Sequence, residues 1–125
     1  MNPYLIAGAA LAFVIGLAHS YLGERYILVR LFRRGNLPRL FGSDDFTKRT
    51  LRFVWHATTV AWWGLGAVIA LLAAGQPDQA GRTVLTVAAL TFLVTAGITL
   101  VHTRGRHLSW IVFLAIAVLC WLGSQ

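Results

Sequence analysis

Long runs without a single Asp, Glu, Lys or Arg dominate the chain. Four of them, residues 1–23, 53–77, 83–103 and 107–125, hold 88 of the 125 positions, and all 15 charged side chains fall between them, in Glu24 to Arg52, Asp78 to Arg82 and Arg104 to Arg106. The hydrocarbon core of a bilayer is about 30 Å thick and takes about 20 apolar helical residues to cross. The four runs therefore predict four membrane-crossing helices, over about residues 3–22, 44–74, 82–103 and 107–123, with a loop at 23–52. Breakers set the boundaries. Gly35, Asn36 and Pro38 end any surface extension of the first helix, Ser43, Asp44 and Asp45 favour the start of the second, Gly75 and Pro77 stop it, and Gly105 centres the turn before the fourth. Short connections set neighbouring helices antiparallel, so the expected fold is all-α, an antiparallel four-helix transmembrane bundle in a single domain.

Composition agrees with this class. The chain is 58% hydrophobic and 12% charged, with a mean hydropathy of +0.70, which excludes a disordered chain, a disulfide scaffold and an ordinary water-soluble domain. Its net charge of +7 reports orientation and not nucleic-acid binding, because ten of eleven cations lie in the first and third charged intervals and only Arg82 lies in the second. The positive-inside tendency then makes the 23–52 loop cytoplasmic and both termini periplasmic. Leu37, Leu40 and Phe41 suggest that this loop rests on headgroups, with anionic lipids as partners. The first run lacks the basic start of a signal peptide and is read as a helix that stays. Small residues at helical spacing, Gly8, Ala12 and Gly16, then Gly66, Ala70 and Ala74, predict close helix packing. A row of Thr91, Thr95, Thr99 and Thr103 marks one face of the third helix. It reads as hydroxyls bonded back to their own helix, with a polar path as the alternative.

Candidate chemistry rests on four histidines. His19, His56, His102 and His107 each stand at a helix end, and in an up-down bundle those ends share the face that carries the arginines. His19 shares a helical face with Gly16 and Ala12, His56 with Thr59 and Trp63, and His102 with Thr99 and Thr95, so at least three imidazoles are expected to point inward. Ionisable side chains at membrane depth are functional candidates by default. Imidazoles gathered at one level suit a transition-metal ion (Zn, Fe or Cu), with Glu24, the only glutamate, as a further ligand, as a partner fixing an imidazole tautomer, or as an ion-pair partner of Arg25 or Arg52. Three readings stay open: a metal site of His19, His56, His102, His107 and Glu24; haem b held by histidines on facing helices; and a non-catalytic structural or partner-binding subunit whose histidines only share hydrogen bonds with Ser20, Thr58, Thr59 and Thr103. The chain has no HxxxH box of the kind that membrane di-iron hydroxylases carry, and whether it is an enzyme is left open. Trp55, Trp110 and Trp121 are expected in aromatic belts, and Trp62 and Trp63 in the core. A homo-oligomer is compatible with the small-residue faces.

The run Ala18-His19-Ser20-Tyr21-Leu22-Gly23-Glu24-Arg25, with Trp55-His56-Ala57-Thr58-Thr59 and Ala61-Trp62-Trp63-Gly64, resembles a family of small four-helix integral membrane proteins of bacteria to which no activity is assigned. The resemblance implies a bacterial inner-membrane protein and carries over no catalytic residue.

Overall fold

The structure, a computed structural model, describes all residues, 1–125, and is built of helices, with residues 34–44 the longest stretch outside them. Helix α1 (Pro3–Leu22) passes through a π-helical segment (Gly23–Leu28) into α2 (Val29–Arg33), and α3 (Asp45–Leu72), α4 (Gln79–His102) and α5 (Ser109–Gly123) follow. Local chemistry explains the ends. Pro3 lacks only an N–H that the first turn would leave without a partner, and Asn2 Oδ1 accepts from the backbone N–H groups of Tyr4 and Leu5. Asp78 caps α4 by accepting from Gly81 N at 2.8 Å, which starts the helix at Gln79, three residues before the predicted position. At the far end of α4, Arg104 and Gly105 take positive φ, and Gly105 N closes a bond to Leu100 O at 2.9 Å.

Three helices, Pro3–Arg33 counted through the π segment, Asp45–Leu72 and Gln79–His102, are long and apolar enough to cross a membrane. Only 28%, 17% and 28% of their most apolar windows is buried inside the chain, so broad apolar faces are left for a non-aqueous surrounding. This is consistent with a membrane protein. The fourth apolar run is shorter as a helix than the sequence predicts. Its 15 residues rise about 22 Å, because His107 Nδ1 is held by Ser109 Oγ at 2.7 Å in a turn ahead of the helix.

The residues group into two compact units, Gly16–Trp62 and a second made of Met1–Ile15 with Trp63–Gln125. The second unit packs by apolar contact. Leu5, Ile69, Leu85, Phe92, Ile116 and Cys120 are its largest fully buried side chains. The α1 and α3 portions within it approach closely where Gly66 faces Ala12, and a Cβ at Gly66 would stand 3.2 Å from Ala12 Cβ. Contacts step forward along α1 as they step back along α3, from Asn2 N bonded to Ala73 O to Phe13 O accepting from Trp63 Nε1. Its threonines spend their hydroxyls on their own helix: Thr91, Thr95, Thr99 and Thr103 each donate to the carbonyl four residues back, at 2.7–2.8 Å.

Candidate functional site

The unit Gly16–Trp62 is built differently. Residues three or four apart on the α1 side, Gly16, His19, Ser20, Gly23 and Glu24, meet residues at the same spacing on α3, Arg52, Trp55, His56 and Thr59. A chain of polar contacts joins them. Arg52 grips Glu24 with two bonds, Nη2 to Oε1 at 2.7 Å and Nε to Oε2 at 3.1 Å, while its guanidinium lies 5.1 Å over the Phe32 ring. Glu24 Oε2 stands 3.3 Å from His56 Nε2. On the other side of the imidazole, Nδ1 is 2.9 Å from Ser20 Oγ, which is 2.8 Å from Thr59 Oγ1. Thr59, buried, closes the chain with its Oγ1 3.4 Å from Gly16 O.

The protons in this chain can be counted. Two proton arrangements satisfy it: Thr59 donates to Gly16 O, Ser20 to Thr59 and His56 Nδ1 to Ser20, or Thr59 donates to Ser20 and Ser20 to His56 Nδ1. In the first arrangement the lone pair of His56 Nε2 faces Glu24, and in the second Nε2–H donates to Glu24 Oε2. The first arrangement is favourable only with a cation such as a metal ion between Nε2 and the carboxylate, and the second needs none.

His19 occupies the same unit in an aromatic enclosure. Its ring stacks on Trp55, with centroids 4.6 Å apart and planes 5° from parallel, and meets the edge of Trp62 at 4.8 Å. Trp55 also donates from Nε1 to His19 O at 3.1 Å. The indole lies so close to Gly23 that a Cβ there would overlap it. Gly23 is thus where the chain has no side chain so that Trp55 can lie against α1, and it opens the π-helical segment. Single π turns inside α-helices often mark functional sites.

Glu24 is the first charged residue after the charge-free run 1–23 and lies beyond the end of α1 at Leu22. There the Arg52 hydrogen bonds hold its carboxyl below the usual carboxylate range, against a smaller opposing effect of burial and with help from His56. Asp44 pairs with Lys48 at 2.9 Å and takes no part in the chain.

Of the five residues expected to form one metal site, the structure joins His56 and Glu24 directly and places His19 in the same unit. His102 and His107 belong to the other unit. Both are exposed, so the inward placement expected for His102 is not found: its Nδ1 turns back to donate to Ile98 O at 3.0 Å. No group of three or more His, Cys, Asp or Glu side chains gathers anywhere in the chain. Ser20 and Thr59 entered the sequence reading only as bonding partners, Arg52 only as a counter-ion and Trp55 only as a belt residue. The signal that joins them is the matched spacing His19, Ser20, Gly23, Glu24 against Arg52, Trp55, His56, Thr59. No protein-family model, curated protein or solved structure matches the chain.

Proposed function

We propose that the chain is an integral membrane protein, an antiparallel four-helix transmembrane bundle, that binds one transition-metal ion between His56 Nε2 and Glu24 Oε2 near the basic loop. One observation carries the reading: His56 Nε2 and a Glu24 carboxylate oxygen face each other at 3.3 Å while Ser20 holds the other ring nitrogen at 2.9 Å. Nitrogen and oxygen ligands of a tetrahedral ion, bound at about 2.0–2.2 Å, stand roughly 3.3–3.4 Å apart. The bond from Nδ1 to Ser20 is the kind of outer contact that fixes the tautomer of a metal-ligating histidine. Two protein ligands leave the remaining positions to water or substrate, an open site that suits Zn, Fe or Cu. Arg52, half-exposed, is the built-in competitor, and an exposed ion pair of this kind holds only about 0–1 kcal/mol against displacement. The basic intervals 24–52 and 104–106 support placing this end in the cytoplasm of a bacterial inner membrane.

A second reading has its own support. With Arg52 gripping the carboxylate by two bonds and His56 Nε2–H donating to its Oε2, the chain is an Arg52–Glu24–His56 clamp between helices. Titration of chelator-treated protein with Co(II) or Zn(II) separates the two. The metal reading expects about one ion taken up per chain, with loss of uptake in His56→Ala and Glu24→Gln. Uptake unchanged by both variants, or absent from the parent protein, leaves the clamp.

A further inference from the structure

Past the end of the apolar crossing, the π segment and α2 carry Arg25, Arg30, Arg33 and Arg34 within ten residues. None of the four pairs with a carboxylate: Lys48 pairs with Asp44, and Arg52 and His56 contact Glu24. Two shallow concavities lie side by side here. One, of 190 Å³, is lined by Arg25, Tyr26, Val29, Arg30 and Arg33, and the other, of 340 Å³, also uses Tyr26 and Arg30 and adds Arg34. No carboxylate lines either. Between them Arg30 lies over the Tyr26 ring, 5.4 Å from its centroid, which fixes one guanidinium at the shared wall. Arg25 in the π segment and Arg30 in α2 line the same concavity.

We propose that this arginine face binds the phosphate of an anionic phospholipid in the surrounding bilayer. The inference rests on the membrane-protein part of the reading above and is independent of the metal. Depth and direction choose the lipid over a free phosphate. The arginines begin three residues past Leu22, in unbroken continuation of α1, and helical side chains lean toward the N-terminal end of their helix, here back toward the membrane. Tyr26 and Ile27, 50% and 47% exposed, give the lipid glycerol and upper acyl region an apolar contact beside the charge. Guanidinium is the side chain best matched to phosphate oxygens, which it binds in pairs.

Native mass spectrometry of the detergent-solubilised full chain tests this, titrated separately with phosphatidylglycerol and phosphatidylcholine. The expected result is one retained phosphatidylglycerol per chain, phosphatidylcholine bound at least tenfold more weakly, and affinity falling about fivefold for each of Arg25→Gln, Arg30→Gln and Arg33→Gln. Arg39→Gln and Arg49→Gln, elsewhere in the same basic loop, should change it less than twofold. Equal loss from Arg39→Gln or Arg49→Gln would reduce the site to diffuse charge and overturn the proposal. Equal binding of the two lipids, or displacement by millimolar inorganic phosphate, overturns it too. Recovery of the chain in solution without detergent would instead defeat the membrane reading itself.

Discussion

Both compact units bring a stretch of α1 against a stretch of α3, and they do so by different chemistry. In the unit of Met1–Ile15 with Trp63–Gln125 the meeting is close and mostly apolar, Gly66 against Ala12 with one bond across from Trp63 Nε1 to Phe13 O, and the threonine hydroxyls of α4 are satisfied within their own helix. In Gly16–Trp62 the same two helices meet through Arg52, Glu24, His56, Ser20 and Thr59 and through a histidine enclosed by two tryptophans. The apolar unit shows that these helices pack without any hydrogen-bonded chain. Small residues suffice where lipid surrounds the pair, and a polar contact between membrane helices adds on average only about 0.6 kcal/mol. The polar chain therefore exceeds what packing requires, and its alignment of an imidazole nitrogen on a carboxylate is the feature that points to chemistry.

The largest effect should come from the contact that lets the polar unit close. Gly23→Ala puts a methyl into the rigid Trp55 indole, whereas Gly66→Ala meets the Ala12 methyl at 3.2 Å and a Phe13 ring edge at 3.3 Å, which shift by a few tenths of an ångström. We expect Gly23→Ala to cost about 2–3 kcal/mol and Gly66→Ala about 1 kcal/mol or less, read by thermal unfolding in detergent. Equal costs would erase the distinction between the units. Next comes Ser20→Ala, which unties His56 Nδ1 without touching either proposed ligand. Metal affinity in a Co(II) titration should fall about 10–100-fold, as for other outer contacts of ligating histidines.

How far the chain could be read beforehand differs between the same two regions. The apolar unit was largely legible, because its helices follow from charge-free length, its turns from Gly75, Pro77 and Gly105, and its threonine bonds from four-residue spacing. The shortening of α5 was hidden, since it depends on a local His107–Ser109 contact. In the polar unit the residue types were visible and their pairing was not. Arg25 and Arg52 were equal candidates for Glu24, and only the packing of α1 on α3 selects Arg52. The π segment at Gly23–Leu28 has no signature in local propensity, and Trp55 lying against Gly23 accompanies it from a position more than 30 residues away. His102 was expected to face inward from its spacing, and a backbone carbonyl on its own helix outcompeted that placement.

Acidification gives a smaller effect confined to the polar unit. Because Arg52 lowers the folded-state pKa of Glu24, the pair's contribution is complete above the usual carboxylate range and is lost as pH falls through the lower folded value. Unfolding followed from pH 7 down to pH 3 should therefore show a decline in the parent protein that Glu24→Gln lacks. A decline of the same size in both would remove the ion pair from the account. The smallest effect belongs to the apolar unit. Thr95→Ala removes a hydroxyl already spent on Thr91 O and should change stability by less than about 0.5 kcal/mol and metal uptake not at all.

The central claim, that His56 and Glu24 face each other around a metal ion, is tested most directly by elemental analysis of protein purified without a histidine tag. The account predicts roughly one transition-metal ion per chain in the parent protein and close to none in His56→Ala. A parent protein that carries none, and takes up none when the metal is supplied, would contradict it.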